Sequence, residues 1–94
     1  MPTTTTPDID IEALKRILPP WAVVLHNDDH NSMDHVVESL LKSVPTLAEE
    51  QAVAVMLTAH EHGEAIVVAC PKETAEFYRE RLEACGLTAT IEEA

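Results

Sequence analysis

Val23-Val24-Leu25-His26-Asn27-Asp28-Asp29-His30-Asn31-Ser32-Met33 is the stretch on which the fold turns. It opens inside an apolar, β-branched run, Trp21-Ala22-Val23-Val24-Leu25, which predicts a short buried strand. From His26 to Asn31 every residue is polar, and an apolar helical pattern starts directly afterwards. Two carboxylates, two amides and two imidazoles therefore gather at a strand end, beside a helix N-terminus. Loops held in that position by rigid elements are where binding groups tend to sit.

Downstream, Asn31 is the expected N-cap, with Ser32 the alternative start, and Asp34 lies near the positive end of the helix dipole. Met33, Val36, Val37, Leu40, Leu41 and Val44 form one apolar face, and Pro45 ends the helix. Thr46-Leu47-Ala48-Glu49 reads as a capping box opening a second helix, with Ala52, Val53, Met56 and Ala59 as its buried face. Gly63 is its expected left-handed C-terminal residue, with His60 and His62 in the last turn. Ala65–Cys70 reads as a second strand closed by Pro71. A third helix fits Lys72–Cys85, with Ala75, Tyr78, Leu82 and Cys85 on one face and Gly86 as the stop. Leu87–Ile91 reads as the last strand, with Leu87, Ala89 and Ile91 inward and Thr88 and Thr90 outward.

The order is β-α-α-β-α-β. Three short strands cannot bury both faces of their own sheet. The expected fold is therefore an α/β (α+β) two-layer sandwich, a small three-stranded antiparallel sheet with three helices on one face. Upstream, residues 1–20 read as a flexible acidic tail. Ile11, Leu14, Ile17 and Leu18 give it a short helical turn, and Pro19-Pro20 breaks it. Residues 21–94 form the domain.

With 94 residues the chain has room for one modest core. Trp21, Phe77 and Tyr78 are its only aromatics, so Val, Leu, Ile, Met and Ala must build that core. Seventeen acidic residues against 6 basic leave a net charge of -11, which argues against nucleic acid and anionic membrane as partners. No apolar run approaches the roughly 18 residues of a membrane span, and the N-terminus has no signal-peptide pattern. Two cysteines, Cys70 and Cys85, are too few for a disulfide scaffold and read as free thiols in a reducing cytoplasm.

Packing of the first strand against the second helix would bring His60 near Asn27, Asp28 and Asp29. An amide oxygen, carboxylates and a neutral imidazole nitrogen are all acceptors, suited to a cationic ligand with several donors. A peptide α-amino group is such a ligand, and capture of a free N-terminus is an established recognition mode. Asn-Asp-Asp-His-Asn is also simply a good turn. Alternatively, His26, His30, His35, His60 and His62, with Asp28 and Asp29, supply metal ligands. However, the i, i+2 spacing of His60 and His62 splays them, and no zinc module has this spacing. No cofactor is expected. Neither thiol sits where a nucleophile would be activated, so no catalysis is expected either.

Two motifs go further. Val24-Leu25-His26-Asn27-Asp28-Asp29-His30-Asn31-Ser32-Met33 resembles the V-x-x-N-D-D-x-T-P-M signature of the ClpS family, adaptors of bacterial Clp proteases. Met56-Leu57-Thr58-Ala59-His60-Glu61-His62-Gly63 resembles that family's M-L-x-x-H-x-x-G, and Ala75-Glu76 gives a third match. The resemblance runs from about Trp21 to the chain end. It implies a non-enzymatic adaptor for N-degrons, proteins whose first residue is Leu, Phe, Tyr or Trp, handed to an AAA+ unfoldase of the ClpA or ClpC type. It implies that Asn27, Asp28 and His60 hold the α-amino group and first peptide amide. Leu25, Val36, Met56, Ala59 and Leu87 would wall the side-chain pocket, Met33 would gate it, and Glu73 and Tyr78 would face the unfoldase. The chain departs from the pattern at Asn31-Ser32, which replace Thr-Pro, at Ala59, where a larger aliphatic is frequent, and at Tyr78, where a Lys is frequent. The alternative is an interaction domain of the same fold without degron binding, similar to the C-terminal domain of the ribosomal stalk protein.

Overall fold

The structure, a computed structural model, describes residues 19–94. The helical turn expected over residues 8–18 lies outside them. The elements are β1 (Trp21–His26), α1 (Met33–Ser43), α2 (Glu49–His62), β2 (Glu64–Cys70), α3 (Lys72–Ala84) and β3 (Thr88–Glu93). The sheet is antiparallel with β1 in the centre, in the order β2-β1-β3. A final bond from the Ala94 N–H to the Pro20 carbonyl (3.0 Å) closes its far end.

The core lies between the sheet and the helices. Val23 and Leu25 from β1, Ala65 and Val67 from β2 and Ala89 from β3 meet Leu40, Ala52, Ala59, Ala75 and Leu82 from the helices. Ala22 and Val24 point to the other face yet are also buried, as short side chains on a central strand flanked by Glu92 and by Ile66 and Thr90.

Several local details differ from the expectations, β2 starting at Glu64 rather than Ala65 and β3 running over Thr88–Glu93 rather than Leu87–Ile91 among them. The N-cap of α1 is Ser32, whose Oγ accepts from the His35 N–H (3.1 Å); Asn31 is engaged elsewhere. Thr46 does not cap α2. Pro45 takes the second position of a turn closed by the Leu47 N–H on the Val44 carbonyl (3.0 Å), which makes Thr46 a turn corner. The helix starts two residues later, with Ala48 at the cap and the Gln51 side chain accepting from the Ala48 N–H (2.8 Å). Val53 is 37% exposed, because Ala52, Met56 and Ala59 already form the inward stripe one helical step away. Finally, β2 carries a bulge. Val23 pairs with Val68 and Val24 with Ile66, leaving Val67 as the extra residue. Val67 and Val68 then both serve the core while Ile66 stands out at 63% exposure.

α3 ends at Ala84, one residue before the expected Cys85. Its stop is a Schellman motif. The Leu87 N–H donates to the Leu82 carbonyl (3.1 Å) and the Gly86 N–H to the Glu83 carbonyl (2.9 Å), with Gly86 left-handed at φ 87°. Leu87 and Leu82 are both buried in the core, the apolar contact that accompanies this motif.

Candidate functional site

The site follows from chain direction. β2 starts one residue after α2 ends and runs antiparallel to β1, so the C-terminal end of α2 must lie beside the C-terminal end of β1. Gly63, left-handed at φ 93°, makes the reversal, its N–H donating to the Ala59 carbonyl (2.8 Å). Its carbonyl accepts from the Asn27 N–H (2.9 Å). That bond brings the last turn of α2, with His60, to the loop that leaves β1.

The result is a cavity of about 280 Å³. Asn27, Asp28 and His60 line it together with Leu25, Met33, Val36, Met56, Ala59 and Leu87. All nine residues expected at the clamp and pocket thus share one cavity. His26, Asp29, Asn31 and Ser32 line it as well. Leu25, Ala59 and Leu87 are buried and form an apolar wall, Met33 is 46% exposed, and Asn27 and His60 are exposed. The arrangement offers hydrogen-bond acceptors beside an apolar wall.

Asp28 is the most constrained of these groups. Its Oδ1 accepts from the backbone N–H of His30 (2.9 Å) and of Asn31 (3.0 Å) and from Asn31 Nδ2 (3.1 Å); its Oδ2 accepts from Asn31 Nδ2 (3.0 Å). Burial pushes this carboxyl up. The bonds from the Asn31 side chain and from the two backbone N–H groups, with the charge of His30, outweigh that and hold it below the ordinary aspartate value. It is therefore anionic at neutral pH. Asn31 Nδ2 also donates to the Gly86 carbonyl (3.0 Å). Sequence reading assigned Asn31 to capping and missed this role. The available signal was an Asn three residues after an Asp, within reach of its carboxylate across one turn.

His26 and His60 both line the cavity, but the side chains of the histidines go to different partners. His26 meets Thr90 Oγ1 (2.7 Å) and Glu64 (3.7 Å), and His35 meets the Cys85 carbonyl (2.7 Å). Among the described residues no group of three or more His, Cys, Asp or Glu could hold a metal ion. Both cysteines are free, and burial pushes the Cys70 thiol up, away from nucleophile chemistry. No helix among the described residues is long and apolar enough to cross a membrane.

Glu73 is exposed in the first turn of α3, whereas Tyr78 is half-buried and packs against the core. The aromatic on the outer stripe with Glu73 is Phe77, one turn on. It is 52% exposed, with the Arg81 guanidinium 5.4 Å from its ring centre.

The profile of the family described as "ATP-dependent Clp protease adaptor protein ClpS" matches residues 16–90. The Synechococcus elongatus Clp protease adapter ClpS is 46% identical over 78 residues, 83% of this chain and 82% of that protein. The chloroplastic adapter CLPS1 of Chlamydomonas reinhardtii is 47% identical over 92 residues, 97% of this chain and 57% of that protein. Agrobacterium tumefaciens ClpS2, solved bound to L-phenylalaninamide, has the same fold at a TM-score of 0.75. It is 29% identical, over 81% of this chain and 98% of that one.

Proposed function

This chain belongs to the ClpS family of adaptors of the ATP-dependent Clp protease, and on that premise we propose that its cavity receives the free N-terminus of a protein beginning with Leu, Phe, Tyr or Trp. The adaptor then hands that protein to an AAA+ unfoldase of the ClpA or ClpC type. The observation that carries the reading is the joining of acceptors and an apolar wall in one small cavity. A charged α-amino group has three N–H donors, and Asn27, Asp28 and His60 are the acceptors for it and for the first peptide amide. At about 280 Å³ the cavity stands at the low end of ligand pockets, which run from about 300 Å³ upward. It suits one side chain rather than a nucleotide-sized cofactor. L-phenylalaninamide, held by the Agrobacterium relative, has a free α-amino group, an amide and a bulky apolar side chain.

Nothing in this mechanism breaks a bond. The chain acts by binding, with unfolding and proteolysis left to its partners. On the unfoldase side the assigned contacts are Glu73 and Tyr78, with exposed Phe77 on the stripe of Glu73. The two free thiols fit a reducing compartment, the cytoplasm.

Titration with peptides starting in Leu or Phe, beside N-acetylated copies, tests the reading. Binding of the free-amine peptides alone is expected, unchanged by EDTA because no ion takes part. Equal binding of the acetylated peptides, or none of either kind, overturns it in favour of an interaction domain without degron recognition.

A further inference from the structure

Asn31 is the one side chain at the cavity that joins two separate parts of its wall. Its amide nitrogen has two protons. The nitrogen lies 3.1 Å from Asp28 Oδ1, 3.0 Å from Asp28 Oδ2 and 3.0 Å from the Gly86 carbonyl oxygen, so one proton serves the carboxylate and the other the carbonyl. All three partners are acceptors, so only the nitrogen end of the amide can face them; the reverse orientation would set the amide oxygen against three oxygens. Gly86 directly precedes Leu87, which is 4% exposed and lines the pocket. One turn further along, His35 Nε2 lies 2.7 Å from the Cys85 carbonyl and must be the donor, since a carbonyl only accepts. Two side chains from the start of α1 thus grip consecutive carbonyls at the end of α3.

We propose that Asn31 is a positioning residue for ligand binding: by tying Asp28 to the Gly86 carbonyl it sets both where the clamp carboxylate stands and where Leu87 closes the apolar pocket. Asn31 lines the cavity, but its amide nitrogen is spent on Asp28 and Gly86 rather than left to donate to a ligand. A hydroxyl residue in its place has one proton and serves one partner at a time. The amide is therefore what lets the acceptor rim and the pocket wall move as one unit. The inference rests on the amine-binding reading of the same cavity.

The test compares the full chain with Asn31→Ala and Asn31→Thr. Affinity is read with a Leu-starting peptide, and the Asp28 carboxyl is followed directly by carbon NMR titration. The second readout is needed because other ionisable groups, His26, Asp29, His30 and His60, line or flank the same cavity. The expected affinity order is Asn, then Thr, then Ala, with a loss of about tenfold or more for Ala. The Asp28 midpoint in the Ala variant should move up toward the ordinary aspartate value. An unmoved Asp28 midpoint in a folded variant overturns the tie, and so does equal affinity for all three proteins. The Thr variant, with a residue common in the family there, keeps the test alive if the Ala variant does not fold. A wild-type chain that binds no free-amine peptide would instead remove the functional reading, while the NMR midpoint still decides whether Asn31 holds Asp28.

Discussion

At the scale of single residues, the acceptors around the cavity differ in how they are held. Asp28 is fixed by four bonds within its loop, whereas Asn27 and His60 are exposed and positioned mainly by their backbone. Removing an acceptor from a charged donor costs about 1.5–3 kcal/mol. Asn27→Ala, Asp28→Ala and His60→Ala are each expected to weaken binding of a Leu-starting peptide about tenfold or more, measured by calorimetry. Asp28→Ala should cost most, because it also frees the loop. Met33, 46% exposed on the first turn of α1, lines the cavity, and the proposed gate role has it exclude side chains branched at Cβ. Met33→Ala should gain binding to Ile- and Val-starting peptides; an unchanged preference for Leu would show that the gate lies elsewhere. The lowered Asp28 pKa also has a stability consequence. Its folded value lies below its unfolded one, so the contribution is complete above the ordinary aspartate value and is lost as pH falls through the lower folded value. Denaturant titrations between about pH 5 and pH 2 should show this loss in the wild type and less of it in Asn31→Ala.

At the scale of elements, helix ends govern the site. Gly63 at the end of α2 and Gly86 after α3 both take left-handed backbone; Gly86 directly precedes Leu87 of the cavity, and the Gly63 carbonyl accepts from the Asn27 N–H. A Cβ built at Gly63 would meet nothing within 4 Å, so Gly63→Ala isolates backbone strain from any clash. The expected cost is about 1–2 kcal/mol, read as a lower thermal midpoint, with Gly63→Asn milder because Asn tolerates this conformation. If Gly63→Ala unfolds at the wild-type temperature, the reversal into β2 does not depend on the left-handed residue.

At the scale of the molecule, one thin core supports everything. Leu82 and Leu40 are fully buried, and Leu82 also anchors the turn that delivers Leu87 to the pocket. Leu82→Ala should cost about 2.7–5 kcal/mol, and in a domain this small about 1 kcal/mol moves Tm by 4–8 °C. A fall of more than about 10 °C is expected in a melting curve, with peptide affinity reduced at temperatures where the chain is still folded. Retained affinity would separate the pocket wall from the core. The acidic surface, net charge -11, repels anionic partners and favours the ammonium group of a peptide N-terminus.

Much of this was legible in the chain itself. The period-2 and period-3.6 patterns, the Pro and Gly stops and the element order depend on neighbours in sequence, so they identified the three strands, the three helices and the layer that the helices cover. The residues of the cavity came from the resemblance of two motifs, around Asn27-Asp28 and around His60, to those of the ClpS family, and not from spacing or periodicity. What tertiary structure alone decided is how distant backbone groups are satisfied. Pro45 turned Thr46 into a corner and moved the start of α2. Pairing with β1 placed a bulge at Val67 that no alternation reveals, because both bulge residues are apolar valines. Asn31, free to cap a helix as far as its neighbours show, is drawn instead to a carboxylate three residues back and to a carbonyl 55 residues on. The Gly86 carbonyl enters its reach only once α3 has packed, and a hydrogen bond between groups that far apart in sequence leaves no period to read.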